Sequence, residues 1–314
     1  MKIDCHSHFF DPFIREEIRK TLKEHNICEK QTAAVRSNSV FLNPEERLRV
    51  MDASGIDIAA IEYHVVYQHY EELEAPLSLR IKLAELVNNR LAGVSDKYPD
   101  RYWWMADIPL IDTDGSVVAS ILELKRAYNI GAKGVCLRTN INSQPLTNPD
   151  YKAFWVEVNR LGLPVLLHPR SSLKAPRVPE IDYMGIGFEV DTALAGIDLL
   201  IDDFFSKYKR INVMLCHSGG ALASMKIRLD DHLTAGGVKT STLLDKYFYD
   251  VAISFPRKVE FLMDIVGLDQ LCYGSDYPYR SFGEGLCVID ALGLDNAKKE
   301  KILSGNARRF FGAD

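Results

Sequence analysis

Eight short apolar runs recur along the chain, each followed by a helical pattern, and several of them stop on a histidine or an acid. They cover residues 3–8, 56–65, 102–110, 131–138, 164–169, 211–220, 247–252 and 271–278. Between them apolar residues return at helical spacing, as in Leu79, Leu83, Leu86, Val87 and Val94, or Val190, Leu194, Ile197, Leu200 and Ile201. Strands apolar on both faces that alternate with helices need a parallel sheet covered by helices. Closing at eight gives an α/β fold of the TIM-type (β/α)8 barrel kind. An open dinucleotide-binding sheet is the alternative, but no Gly-x-Gly-x-x-Gly follows the first run. Residues 1–314 read as one domain with insertions after strands 1 and 5 (residues 10–43 and 170–188).

Composition narrows the partners. A net charge of −5 provides no basic field for nucleic acid or an anionic membrane. No apolar run approaches the roughly 20 residues of a membrane span, and the N-terminus lacks the basic-then-apolar build of a signal peptide. The expectation is a cytoplasmic protein without membrane or nucleic-acid partners. The cysteines are scattered without paired spacing, and Cys5, Cys136, Cys216 and Cys272 read as small buried apolar residues within strands.

The chemistry of a barrel sits where its strands end. In an extended strand alternate side chains share a face, so His6 and His8 of Asp4-Cys5-His6-Ser7-His8 project together as a metal clamp. Asp4 has the same parity, and its expected role is to orient one of these imidazoles from behind. His168 ends the fifth strand, His217 the sixth and Asp276 the eighth. Singly, His168 or His217 reads as a hydrogen-bonded loop histidine; it is their convergence on one face that favours a metal. Neutral imidazoles with one carboxylate suit Zn²⁺ or a similar divalent ion, with Mn²⁺ and Fe²⁺ accepting the same donors. Asp276 fits either a ligand or a proton carrier. His64 ends the second strand and faces the same cleft, a candidate for binding substrate.

The Asp-x-His-x-His strand, His168-Pro169, Cys216-His217-Ser218-Gly219-Gly220 and Gly274-Ser275-Asp276-Tyr277-Pro278 together resemble the amidohydrolase superfamily. Within it they look like the amidohydrolase-2 family and its aminocarboxymuconate-semialdehyde decarboxylase branch. The resemblance runs to Gly305-Asn306-Ala307 and so covers nearly the whole chain. It implies a mononuclear site with His6, His8, His168 and Asp276 as ligands, His217 as acid/base, and a homodimer. Binuclear members of the superfamily bridge their ions with a carboxylated lysine at the end of the fourth strand. Here that end reads Leu137-Arg138-Thr139, and Lys133 stands at the opposite end of the strand.

Carboxylate substrates need fixed cations, and arginine offers a bidentate fork. Ala34-Val35-Arg36-Ser37-Asn38 is similar to the segment with which the family's semialdehyde decarboxylases hold a substrate carboxylate, which points to Arg36. Arg170 follows His168-Pro169, where those decarboxylases tend to carry an aromatic residue. Arg228 resembles a second family arginine at the active site or subunit boundary. Phe9, Phe10, Trp103, Trp104 and Tyr277 are candidates for an apolar wall. Two chemistries fit this set: decarboxylation of a small unsaturated or aromatic carboxylic acid, and hydrolysis of a lactone, amide or activated carbonyl. A non-catalytic metal-binding scaffold fits less well, because structural zinc normally closes four ligands.

Overall fold

The computed structural model of the protein describes residues 1–27, 41–63, 75–110, 117–141, 143–170, 183–235 and 237–313. Eight parallel strands pair in chain order: β1 (Ile3–His8), β2 (Ile58–Glu62), β3 (Tyr102–Asp107), β4 (Gly134–Arg138), β5 (Val165–His168), β6 (Val213–Leu215), β7 (Tyr247–Asp250) and β8 (Leu271–Cys272). The first and last strands also meet. Cys5 N donates to Tyr273 O (3.0 Å), Asp276 N to His6 O (3.0 Å) and His8 N to Tyr277 O (2.7 Å), and Ser7 bridges Tyr277. These bonds close the sheet into a TIM-type barrel.

Helices cover the barrel where the periodicity places them. The insertion after β1 carries α1 (Pro12–Glu24) and α2 (Pro44–Ser54). In α2 the Asn43 side chain accepts from Glu46 N while the Glu46 side chain accepts from Asn43 N, Pro44 fills the first turn, and Gly55 ends the helix in a left-handed conformation. The helix expected over residues 77–97 is α3 (Leu77–Lys97), and α4 (Val118–Asn129) and α5 (Lys152–Leu161) follow β3 and β4. After β5 come α6 (Tyr183–Ile201) and the short α7 (Phe204–Lys207), followed by α8 (Lys226–His232) and α9 (Pro256–Val266). The chain ends with α10 (Phe282–Ala291), α11 (Asn296–Glu300) and α12 (Asn306–Phe311).

Three boundaries differ from the sequence reading. The sixth strand stops at Leu215, because His217 and Ser218 take left-handed backbone angles that no strand continues. Helix α6 begins at Tyr183, inside the stretch read as loop; its glycines had hidden the helical period. The C-terminal helix is split by a π turn over Lys301–Gly305, where Ile302 O accepts from Tyr273 N at 2.8 Å and ties the helix to the end of β8.

The barrel interior is filled by Ile3, Cys5, Ile58, Ala60, Met105, Cys136, Leu166, Met214, Cys216, Phe248 and Cys272, with Phe310 and Phe311 of α12 packed against them. Strand parity is broken in β1. Asp4 pairs with Ala59 and Ser7 with Ile61, so β1 carries one residue more than β2 over that span. Such a bulge re-aims side chains. Cys5 faces the interior, and His6 can do so as well, while Asp4 is left on the other side. There Asp4 accepts from Ser275 N (2.9 Å) and Ser275 Oγ (2.6 Å). The expectation that Asp4 orients an imidazole is therefore corrected. It reaches His6 only through the backbone N–H (3.3 Å), and it fastens β1 to the segment after β8.

At Gly274, beside this seam, a Cβ would lie 2.8 Å from Asp250 Cβ and 3.0 Å from His6 Cβ. Both neighbours are short, fully buried side chains on strands, so neither can swing away. The Gly274→Ala variant should lose about 1–3 kcal/mol of stability, the usual cost of overpacking, read as a lowered urea midpoint at unchanged slope. A midpoint equal to wild type would show that the seam has slack.

Candidate metal centre and active site

Each group at the C-terminal rim owes its place to the end of a strand. His8 is the last residue of β1 and His168 the last of β5, both buried. After β6 the chain turns through Cys216–Gly219 with His217 at φ 56° and ψ 47° and Ser218 at φ 59°, followed by Gly219 and Gly220 also at positive φ. Asp276 sits at φ 61° four residues beyond β8. Non-glycine residues in this region cost about 1–2 kcal/mol each, and the turns hold them there to aim side chains inward.

The rings of His6, His8, His168 and His217 form a compact group. Centroids lie 5.2 Å apart for His6 and His8, 5.1 Å for His8 and His168, and 5.4 Å for His6 to His168, His6 to His217 and His168 to His217. Asp276 Oδ1 is 2.8 Å from His8 Nε2, 3.5 Å from His6 Nε2 and 3.8 Å from His217 Nε2. One donor atom each from His6, His168, His217 and Asp276 falls within 4.8 Å of the others, a spacing that admits a metal ion. His8 stands beside this group, hydrogen-bonded to Asp276.

Behind the rings stand partners that fix them. His6 Nδ1 bonds Asp250 Oδ2 at 2.7 Å, and His8 Nδ1 bonds Glu62 Oε1. His168 Nδ1 lies 3.1 Å from Pro169 O, which also accepts from Arg138 Nη1 at 3.0 Å. A proton held on Nδ1 of His6 and of His8 leaves their Nε2 lone pairs facing the centre, the tautomer a ligand needs, while His168 Nδ1 also meets Arg138 Nη1 at 3.3 Å. Arg138, 1% exposed at the end of β4, is a guanidinium, which unlike a lysine amine forms no bridging carbamate.

Charge in the centre is out of balance. Burial pushes the His6 imidazole down, but Asp250, through charge and hydrogen bond, together with Asp276 and Glu62 carries it up to about 9. His8 is likewise raised against its burial by Glu62 and Asp276. Burial alone would raise Asp276, yet the His217 and His8 imidazoles hold it far below the usual carboxylate range. Burial lowers Arg138. Among the described residues, three acids (Glu62, Asp250 and Asp276) and one guanidinium (Arg138) contact the four rings. A divalent cation fits that balance and that donor chemistry.

The other sequence candidates fare differently. Arg170 is half-buried beside His168, its backbone N donating to Thr139 Oγ1 (3.1 Å) and Asp191 Oδ2 (3.0 Å). Arg228 is exposed on α8, which corrects its reading as a residue at the site within this chain. Arg36 and His64 lie outside the described residues. Of the expected apolar wall only Phe10 reaches the centre, stacked on His8 at 6.0 Å. Phe9 and Trp104 are core, Trp103 packs on Phe311, and Tyr277 stacks on Phe282. The wall is completed instead by Tyr279, 5.2 Å from His8, and by Phe188 of α6, parallel to His217 at 6.3 Å. Sequence reasoning missed Glu62, Arg138 and Asp250, although each is the last residue of its strand.

Imidazoles and a carboxylate gathered at the rim of a (β/α)8 barrel define a barrel enzyme with its chemistry at the strand ends. The family model for amidohydrolases of the Amidohydro_2 type matches residues 3–313, and the chain belongs to this family. It is 23% identical to the 2-amino-3-carboxymuconate-6-semialdehyde decarboxylase of Dictyostelium discoideum, over 100% of this chain and 92% of that one. It is 28% identical to the gamma-resorcylate decarboxylase of Rhizobium sp. (strain MTP-10005), over 86% and 87% of the two chains. Among solved structures it resembles a dihydroxybenzoic acid decarboxylase from Polaromonas sp. JS666 with bound manganese and 2-nitroresorcinol. There the TM-score is 0.78 at 20% identity, over 99% of this chain and 96% of that one.

The charge imbalance predicts stabilisation by a divalent ion. Protein stripped with a chelator should bind Zn²⁺ or Mn²⁺ and gain about 2.7 kcal/mol at a hundredfold excess over Kd, seen as a raised Tm. Magnitudes equal to those of the Asp276→Asn variant would place the ion elsewhere.

Proposed function

We propose that this protein is a metal-dependent, non-oxidative decarboxylase of a small aromatic or unsaturated carboxylic acid. His6, His8, His168 and Asp276 hold one divalent ion, and His217 is the acid/base. The observation that carries this reading is the flanking of the histidine group by parallel aromatic rings, Phe10 on His8 and Phe188 on His217, with Tyr279 closing one edge. A flat, conjugated acid suits such walls. The names of both relatives, decarboxylases of a carboxymuconate semialdehyde and of gamma-resorcylate, support it.

A divalent cation in the centre supplies Lewis-acid polarisation and a fixed positive charge for substrate oxygens. The side chains do the rest. Phe10 is buried and Phe188 and Tyr279 half-buried, which limits water at the ring, and Arg138, backed against His168, keeps a second positive charge near the bound anion. Arg170, at the rim beyond His168, is the described candidate for the carboxylate itself. His217 Nε2 is buried, 3.8 Å from Asp276 Oδ1, with no hydrogen-bond partner among the described residues, so it is disposed to bond a substrate. It delivers a proton to the carbon that bears the carboxylate; the C–C bond then breaks, its electrons return to the conjugated system, and CO₂ leaves. Asp276, kept ionised, steadies the imidazolium between proton transfers.

The donor set accepts Zn²⁺, Mn²⁺ and Fe²⁺. Zinc is the expected ion from the sequence, and the manganese of the Polaromonas structure puts Mn²⁺ beside it. The homodimer implied by the resemblance belongs to the same proposal, and light scattering checks it.

Two substitutions separate the roles. His8→Ala should lose metal and turnover together. His217→Ala should retain one equivalent of metal and the wild-type fold while CO₂ release from a panel of hydroxybenzoic and muconate-type acids falls by at least about 100-fold. Ring or ester opening without CO₂ would sink decarboxylation and leave hydrolysis at the same centre. Loss of metal in His217→Ala with retention in His8→Ala would exchange their roles.

A further inference from the structure

The geometry points to Asp250 as a positioning residue that sets two parts of the centre at once: the tautomer of His6 and the strained turn that presents His217. Asp250 is the last residue of β7 and is fully buried. Its Oδ2 faces His6 Nδ1 at 2.7 Å. Its Oδ1 accepts from His217 N at 2.8 Å and from Ala252 N at 3.0 Å. One carboxylate thus receives three donors, and the two groups it serves belong to different strands, β1 and the end of β6.

His217 needs such an anchor. It and Ser218 are consecutive non-glycine residues in the left-handed region, a conformation that persists only when its surroundings over-determine it. The carbonyl side of the same residue lies 3.4 Å from Lys258 Nζ, which is itself paired with Glu189 at 3.2 Å. Asp250 therefore grips the amide side of His217 while Lys258 reaches its carbonyl. On its other oxygen, Asp250 holds a proton on His6 Nδ1 and so turns the Nε2 lone pair towards Asp276 and the centre. Gly274 leaves the room for this approach, since a Cβ there would stand between Asp250 and His6.

An amide cannot replace this carboxylate, because it offers one accepting oxygen where three donors converge. In Asp250→Asn the two backbone N–H groups should keep the oxygen, so the amide NH₂ turns to His6 and the ring loses its Nδ1 proton. This rests on the metal-centre reading, and the experiment separates the two. The first readout is the exchange-protected Nδ1–H proton of His6 by NMR, taken on metal-free protein. It should be present in wild type and absent in Asp250→Asn. The second is metal affinity, expected to weaken about 10–100-fold in Asp250→Asn, with kcat at saturating metal staying above that of Asp250→Ala because the turn is intact. The third is Asp250→Ala, which loses both services: kcat should fall at least about 100-fold even at saturating metal.

Asp250→Asn with native metal affinity and a retained Nδ1–H overturns the inference, as does an Asp250→Ala kcat equal to that of Asp250→Asn. If Asp250→Ala does not fold, the asparagine variant alone decides. A wild-type protein that binds no divalent ion but shows the protected proton, lost in Asp250→Asn, would refute the metal reading and leave the pairing standing.

Discussion

The seam between β1 and the segment after β8 is the constraint on which everything else depends. Strands in a barrel must pair with two neighbours, and for the first strand the second neighbour arrives only at the far end of the chain. Here the bonds that satisfy this need run through the functional residues themselves. His6 O accepts from Asp276 N and Ser275 N, and His8 N donates to Tyr277 O. Asp4, on the helix side of the bulge, binds Ser275 twice. Arg47 of α2 adds a further tie: it is buried, donates to His8 O at 2.8 Å and lies over the Tyr277 ring at 4.7 Å. The same contacts that close the sheet fix the spacing between the two histidines of β1 and the aspartate they face.

Within that frame the histidines differ in what stands behind them. Carboxylates back His6 and His8, whereas a carbonyl and a guanidinium back His168, and His217 is aimed by its backbone. Burying carboxylates without a counter-charge is expensive. Without an ion the neighbouring carboxylates favour protonation of His6 and His8, raising both imidazoles against their own burial. A metal ion and protons therefore compete for one set of lone pairs.

Much of this was legible because the chemistry-bearing residues carry local marks. Apolar runs stopping on His168, His217 and Asp276 located the strands, though β6 and β8 end two and four residues before the last two, and the alternation in Asp4-Cys5-His6-Ser7-His8 brought out the paired histidines. The same alternation misled at Asp4, since the bulge shows only in the pairing of β1 with β2. Glu62 and Asp250 could have been found by extending the strand-end rule from histidines to acids; their partners, 54 and 244 residues away, could not. Tyr-Phe-Tyr-Asp reads as a buried strand and nothing more. Trp103, Trp104, Phe9 and Tyr277 fell away from the centre for another reason. Which face a helix or strand presents to the centre depends on packing, so Phe188 and Tyr279 replaced Trp103 and Tyr277.

The distance along the chain between His8 and Asp276, 268 residues, has a bearing on biosynthesis. Contacts of such separation form late, after the cost of closing the intervening loop has been met. During translation the ribosome exposes the clamp of β1 long before the aspartate that completes it. A nascent chain thus carries a pair of imidazoles without the carboxylate that joins them until residue 276 has emerged. The centre is in that sense a checkpoint of maturation: only a chain whose first strand has met the segment after β8 brings His8 and Asp276 together.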